Sequence, residues 1–378
     1  MSTTIQDYGR YQVGSESFYN KLEAIAAHVR IGQAITWHIF EEELDRIDLT
    51  QEPQEDIREL YAKRARELRD HYDHLVLHFS GGTDTAAIVE IFRDNGITID
   101  EIFVRTYVDH AAKKLLDPET PEMELLTLPL ARWVKDNIWP RCELTVVDTS
   151  KHIIDYFKKN TTWYDTHNRS ILDPTWQIRG DYDVLNPSWQ VMANRGLKVG
   201  HIIGKEKPQL RSDDKGFYFF YSDRGIESHL PARTLEIGMP HHVEMFFWHP
   251  STVRMQIKQA HMLMAAWNGC PVISRPDELA FTRRYEDEVA KYIYGRRTIP
   301  LPFSGLKMED MPNGARFGVY IAQSQWFAEN LKEDATKTWM KGVFKVYEDV
   351  KPLYKDRMDF FKRGLPSVHS KRHYIRHH

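Results

Sequence analysis

The sequence predicts an α/β fold in which a parallel sheet carries helices on both faces. Three observations carry that expectation. A short apolar run, His74-Leu-Val-Leu-His-Phe79, ends in Ser-Gly-Gly and leads into a stretch of helical periodicity. Strand-like and helix-like segments then alternate through residue 158, at a spacing that suits strands joined by helical crossovers. A further apolar run, Leu197-Lys-Val-Gly-His-Ile-Ile203, ends in Gly204-Lys205.

Residues 1–70 read as a helical N-terminal extension. Ser17–Arg30 places Phe18, Leu22, Ile25, Ala26 and Val29 at helical spacing, and a second helix is expected past Gly32 to about Arg46. Segment 56–70 gathers Ile57, Leu60, Tyr61, Ala65 and Leu68 on one side of a charged helix.

Residues 71–210 are expected to form the α/β domain. Its elements are a strand at 74–79, a helix at 85–94 stopped by Asn95-Gly96, a strand at Glu101–Val108 and a helix at 121–138. A strand at Cys142–Val147, a helix at 151–158, a helix near 187–195 and the strand ending at Ile203 complete it. Residues 211–378 are expected to be α+β and mainly helical. Segments 216–222 and 243–248 read as strands of an antiparallel pair, 251–267 as a helix, and 276–296 and 315–349 as largely helical.

Composition excludes several classes. The formal net charge of -3 over 378 residues is not that of a general polyanion binder. The two cysteines, Cys142 and Cys270, cannot make a disulfide framework, an iron–sulfur site or a cysteine-rich zinc site, and a reducing, cytoplasmic compartment fits them. The first residues, Met-Ser-Thr-Thr-Ile-Gln-Asp, lack the basic and apolar regions of a signal peptide. No stretch approaches the roughly 18 apolar residues of a membrane helix, so no membrane partner is expected.

The chemistry is concentrated in Ser80-Gly81-Gly82-Thr83-Asp84-Thr85, between a strand and a helix. Two glycines let the backbone turn sharply and approach a ligand closely. Successive N–H groups at the positive end of the following helix make an anion-binding nest. Ser80 and Thr85 add hydroxyl donors. Asp84 suits a magnesium-side carboxylate, or a holder of the loop conformation or of a water. The Lys-Ser/Thr ending of the longer P-loop is absent, as is Gly-x-Gly-x-x-Gly.

At these residues the chain resembles the pyrophosphatase-loop family of ATP-using enzymes, whose signature is Ser-Gly-Gly-x-Asp-Ser/Thr and which includes asparagine synthetase and argininosuccinate synthetase. Every fixed position is matched, and the resemblance spans roughly residues 72–210 at the level of fold. It implies an adenine nucleotide alpha hydrolase-like sheet. It also implies ATP with Mg2+, adenylation of a small-molecule or nucleic-acid substrate with release of pyrophosphate, and amidation or ligation to an amine. Ser80 through Thr85 would bind phosphates, with Asp84 on the magnesium side. Tyr107 and Val108, at the end of the second strand, would lie near the adenine. The chain departs from the amidotransferase members, since no cysteine stands where a glutaminase nucleophile would. The thiolation branch, which uses catalytic cysteines, is disfavoured because Cys142 falls in an expected strand and Cys270 in Gly-Cys-Pro.

Other candidates rest on placement. Gly204-Lys205-Glu206-Lys207 follows a core strand, so Lys205 and Lys207 are expected to reach the phosphates, with Arg211 as a third cation. The aromatic and polar segment 163–189 offers Trp163, Tyr164, Asp165, His167, Asn168, Trp176 and Arg179 to a substrate pocket. Adjacent His241 and His242 point to opposite faces of a strand, which argues against zinc. Residues 351–378 are locally basic and offer a contact to nucleic acid, against a plainer reading as a solvated end. The alternatives to adenylation are an ATP-hydrolysing or nucleic-acid-modifying enzyme on the same fold, and a nucleotide binder without turnover.

Overall fold

A computed structural model of the chain describes residues 9–106, 126–163, 186–204, 209–223, 241–267, 294 and 334–377. Near the N-terminus, strand pairing replaces part of the expected helix. Strands β1 (Arg10–Val13) and β2 (Glu16–Phe18) form a hairpin, helix α1 (Lys21–Ile31) follows, and β3 (Ile35–His38) returns beside β1. Asn20 caps α1, its side-chain oxygen accepting from Leu22 N at 2.8 Å. The helix expected to run on to Arg46 is corrected to β3 and the single turn α2 (Glu41–Leu44). The reason is that Ile35-Thr-Trp-His is β-branched and aromatic, and that Trp37 is buried with its ring stacked on Tyr11. Helix α3 (Ile57–His71) agrees with expectation and starts with a capping box between Asp56 and Glu59.

The α/β core follows. Its elements are β4 (His74–His78), α4 (Thr83–Asp94), β5 (Glu101–Thr106), α5 (Leu128–Asn137), β6 (Glu143–Asp148), α6 (Ser150–Lys159), α7 (Pro187–Asn194) and β7 (Val199–Ile203). Next come β8 (Gln209–Asp213), β9 (Gly216–Phe220), β10 (His241–Met245), α8 (Val253–Trp267), α9 (Asp334–Val350), α10 (Arg357–Arg363) and β11 (His373–His377). Among the described residues five strands pair in the order β10-β7-β4-β5-β6, every neighbouring pair parallel. From β4 the chain steps outward to β5 and β6, then crosses back to β7 on the other side of β4 and outward again to β10. Strand order therefore reverses between β4 and β7.

Segments 216–222 and 243–248 are not an antiparallel pair. β10 lies parallel to β7, whereas β9 sits antiparallel between β8 and β11. The fifth strand of the main sheet thus joins from beyond the expected boundary at 210. Val243, Met245, Phe246 and Phe247 are all buried, and an apolar run of that kind is what a strand covered on both faces requires.

Helices cover both faces. On one, the Tyr72 ring at the end of α3 lies so close to Gly200 that a Cβ there would fall 2.5 Å from it. On the same face Arg64 of α3 reaches Glu244 of β10 at 2.8 Å. Burial would raise the Glu244 carboxyl, but the charges of Arg64 and His249 and hydrogen bonds from Tyr72 and Arg64 hold it below its usual range. On the other face Trp189 of α7 packs edge-on against Phe103 and His201, and its Nε1 donates to Glu101 at 2.7 Å.

The C-terminal strand closes the molecule. His373 of β11 is buried and its ring stacks on Phe219 of β9. Burial, aided by the Lys371 charge, pushes its pKa down from 6.5 to about 4. The unfolded chain therefore holds an extra proton in that window. The stabilisation from His373 is complete above about pH 6.5 and is lost as the pH falls toward 4, at most about 3 kcal/mol. His373→Phe should flatten stability between pH 4.5 and 7, as read from urea unfolding at each pH. An unchanged slope would remove the assignment.

Candidate functional site

The loop Ser80–Thr85 leaves the carboxyl end of β4. Phe79 continues the sheet, its N–H donating to Phe103 O at 2.9 Å. Gly81 then turns with φ +74, a left-handed conformation that costs a non-glycine residue about 1–2 kcal/mol. Space is short there as well, because a Cβ on Gly81 would lie 3.1 Å from Thr127 Cα and 3.2 Å from its hydroxyl. Gly82 is the N-cap of α4, whose first bond runs from Ala86 N to Gly82 O at 3.0 Å. A glycine cap brings no side chain to compete for the first-turn N–H groups of α4.

The hydroxyls of this loop mainly hold the loop. Ser80 Oγ accepts from Gly82 N and lies beside Thr85 Oγ1, each at 3.3 Å, while Thr85 Oγ1 donates to Gly82 O at 3.1 Å. Thr85 is buried, Ser80 is exposed, and Thr83 and Asp84 are half-buried in the first turn. Thr127, just ahead of α5, donates its hydroxyl to Ser80 O at 2.7 Å. Pro129 stands in the first turn of α5, and residues 121–125, where this helix is expected to begin, lie outside the described residues.

Asp84 is engaged from an unexpected direction. Tyr294 Oη donates to its Oδ1 at 2.8 Å across 210 positions of sequence. No local pattern marks Tyr294, since the contact exists only once the chain has folded. Behind it lie Phe247 and Tyr61, with ring centroids at 5.2 and 6.2 Å.

Gly204, at the end of β7, lies against the same loop. β7 pairs with β4 through His78↔Ile203, and Gly204 then abuts the start of α4. A Cβ on Gly204 would lie 2.8 Å from Ile88 and 3.3 Å from Thr85 N. Lys205, Lys207, Tyr107 and Val108 lie outside the described residues, as do residues 164–185 of the aromatic segment. Their described neighbours are Gly204, against the loop, and Thr106, whose carbonyl accepts from Thr149 N and Oγ1 at 2.9 and 2.8 Å.

Three other candidates are placed elsewhere. Arg211 lies in β8 opposite Tyr218, in the antiparallel sheet. Trp163 is core, not pocket lining: it is buried, its Nε1 donates to Thr338 O at 3.1 Å, and it packs edge-on against Phe157. Burial pushes the Cys142 thiol up to about 12, so it stays protonated at neutral pH and is a poor nucleophile. In the basic C-terminal region Lys351, Arg363, Lys371 and Arg372 pair with Glu348, Asp359, Asp45 and Asp213. No described group of three His, Cys, Asp or Glu side chains could hold a metal by itself. No helix among the described residues is long and apolar enough to cross a membrane.

The two loop glycines differ in what they tolerate. Gly81→Ala should destabilise the fold by about 1–2 kcal/mol or more. Gly82, with φ -68 and only Ser80 Oγ near its position, should accept alanine with little loss. Guanidinium unfolding of both variants tests this, and equal stabilities would contradict it. No protein-family model matches this chain, and no curated protein matches it either.

Proposed function

We propose that the chain is a pyrophosphatase-loop enzyme that uses ATP to adenylate a substrate, releasing pyrophosphate, ahead of amidation or ligation to an amine. One observation carries the reading. A Ser-Gly-Gly-x-Asp-Thr loop, with its first glycine left-handed, opens a helix at the carboxyl end of β4, where strand order reverses. Ligands of open parallel sheets bind in the crevice at such a point.

The loop suits a phosphate chain. First-turn N–H groups of α4 and the backbone at Gly81 and Gly82 form the anion-binding end of a helix. The absence of a Cβ lets Gly81 pass close to Thr127 and Gly204 close to Ile88 and Thr85. Asp84 fits magnesium in the way that metal is usually held beside nucleotides, by one or two carboxylates with the phosphates and water as further ligands. Bound there, Mg2+ would neutralise phosphate charge.

In the reaction, a substrate oxygen forms a bond to the α-phosphorus. The bond from that phosphorus to the oxygen leading to the β-phosphate breaks, and pyrophosphate leaves with the electron pair. The residues of the chain orient the phosphates through the loop N–H groups and offset the charge that grows on the departing group. Lys205, the covalent neighbour of Gly204, is assigned to that departing charge, with Lys207 as its second. Tyr107 and Val108, which follow Thr106 in the sequence, are assigned to the adenine side.

Products decide the matter. With a competent acceptor, radiolabelled ATP should yield AMP and pyrophosphate, and persistent ADP and phosphate would overturn the proposal. Asp84→Asn should keep the fold and lower turnover by a factor on the order of 10²–10³. Lys205→Ala should weaken ATP binding or slow turnover about tenfold. Lys215, exposed in the β8–β9 turn, should tolerate alanine. If Lys205→Ala matches wild type in both binding and turnover, the assignment of Lys205 is wrong.

A further inference from the structure

We infer that Tyr294 is a positioning residue for Asp84, fixing the carboxylate in the orientation that Mg2+-ATP requires; this rests on the proposed nucleotide site. Three elements far apart in sequence build the seat for its ring. Phe247 comes from the segment after β10, Tyr61 from α3, and Gln259 of α8 donates to Tyr61 Oη at 2.9 Å. Phe247 and Tyr61 are buried and pack edge-on against each other. The neighbouring Phe246 N–H donates to Ile203 O at 3.0 Å, which ties this seat to the end of β7, one residue before Gly204. The aromatic cluster is therefore braced on the strand pair that flanks the loop.

At the front of the cluster the tyrosine hydroxyl is held 2.8 Å from Asp84 Oδ1. Asp84 is the second residue of α4, where an acidic side chain is favoured by the helix dipole whatever its rotamer. The dipole alone does not select a carboxylate rotamer. A hydrogen bond from a packed ring selects one, and a charge-assisted bond of this kind is stronger than a neutral one. A carboxylate has about four lone-pair sites, so the bond to Tyr294 is compatible with a cation on the same group. Asp84 is also felt deeper in the cluster. Burial holds the Tyr61 phenol well above its usual range, and the Asp84 carboxylate adds in the same direction.

The arrangement couples the nucleotide loop to a residue more than 200 positions away. A purely packing role would have been served by phenylalanine, because the ring contacts need no hydroxyl. The hydroxyl meets the one loop side chain that carries a negative charge.

Calorimetric titration of the full chain with ATP, once with Mg2+ and once with EDTA, tests the assignment. Wild type should bind ATP more tightly with Mg2+. Tyr294→Phe keeps the ring and should lose about five- to tenfold of the Mg2+-dependent affinity, with binding in EDTA unchanged. Asp84→Asn should abolish the Mg2+ dependence, and Asp84→Asn/Tyr294→Phe should equal Asp84→Asn alone. Asp84→Glu, which displaces the carboxylate by one methylene while keeping its charge, should reproduce the Tyr294→Phe defect. Tyr61→Phe removes a hydroxyl from the same cluster but not from Asp84, and should leave the Mg2+ dependence intact. Equal losses with and without Mg2+, additive losses in the double variant, or a Tyr294→Phe protein identical to wild type would each overturn the inference. A wild-type chain that binds no ATP under either condition would instead overturn the proposed function, and the role of Tyr294 with it.

Discussion

The pairing of β4 with β7 is the constraint on which the site depends. The two strands run parallel through five register positions, from His74↔Val199 to His78↔Ile203. β4 runs on into the Ser80–Thr85 loop, and Gly204 at the end of β7 abuts Thr85 of that loop. Close packing holds this pair from both sides. Tyr72 presses on Gly200 from one face, and Trp189 lies edge-on over His201 from the other. A slip of one residue would exchange these faces and place side chains where only glycine fits. The precision of the loop is thus set by the sheet, and the loop's own hydrogen bonds refine it.

That division of labour explains the chemistry of the loop residues. Ser80 and Thr85 use their hydroxyls within the loop, and Thr127 takes the Ser80 carbonyl. These bonds fix the backbone that leads into the first turn of α4. Preorganised donors lose little in reorganisation when charge develops, which is the property that electrostatic stabilisation demands. Asp84 belongs to the same frame through Tyr294.

Much of this was legible in the sequence, for a physical reason. Strands covered on both faces must be continuously apolar, and so β4, β7 and the apolar stretch around β10 stood out from their surroundings. The loop stood out because glycine, hydroxyl and acid residues were crowded between a strand and a helix. Pairing partners were not legible. The stretch at 243–248 looked the same whether it met β9 or β7, since an apolar pattern records burial and not the neighbour that supplies it. The N-terminal sheet was hidden because its first hairpin is short and mostly polar, with Gln12, Glu16 and Ser17 in its strands. Trp163, read as lining because of its polar company, is core because α9 lies beneath it. Tyr294 could not be found at all, as its meaning arises only when α3, α8 and the end of β10 come together.

The closing contacts of the chain have a consequence for its synthesis. Trp37 of β3 donates its backbone N–H to His369 O, Lys371 pairs with Asp45, and Asp223 accepts from Tyr11, from Lys21 and from the N–H of Val368. Residues near 10–45 are thereby sutured to residues near 365–377. On a ribosome the first of these emerge some 326 residues ahead of partners such as Lys371 for Asp45. Vectorial folding can complete the parallel sheet while the sheet of β1–β3 still lacks its cover, so the nascent protein carries an unfinished seam until residues near 369–371 are made.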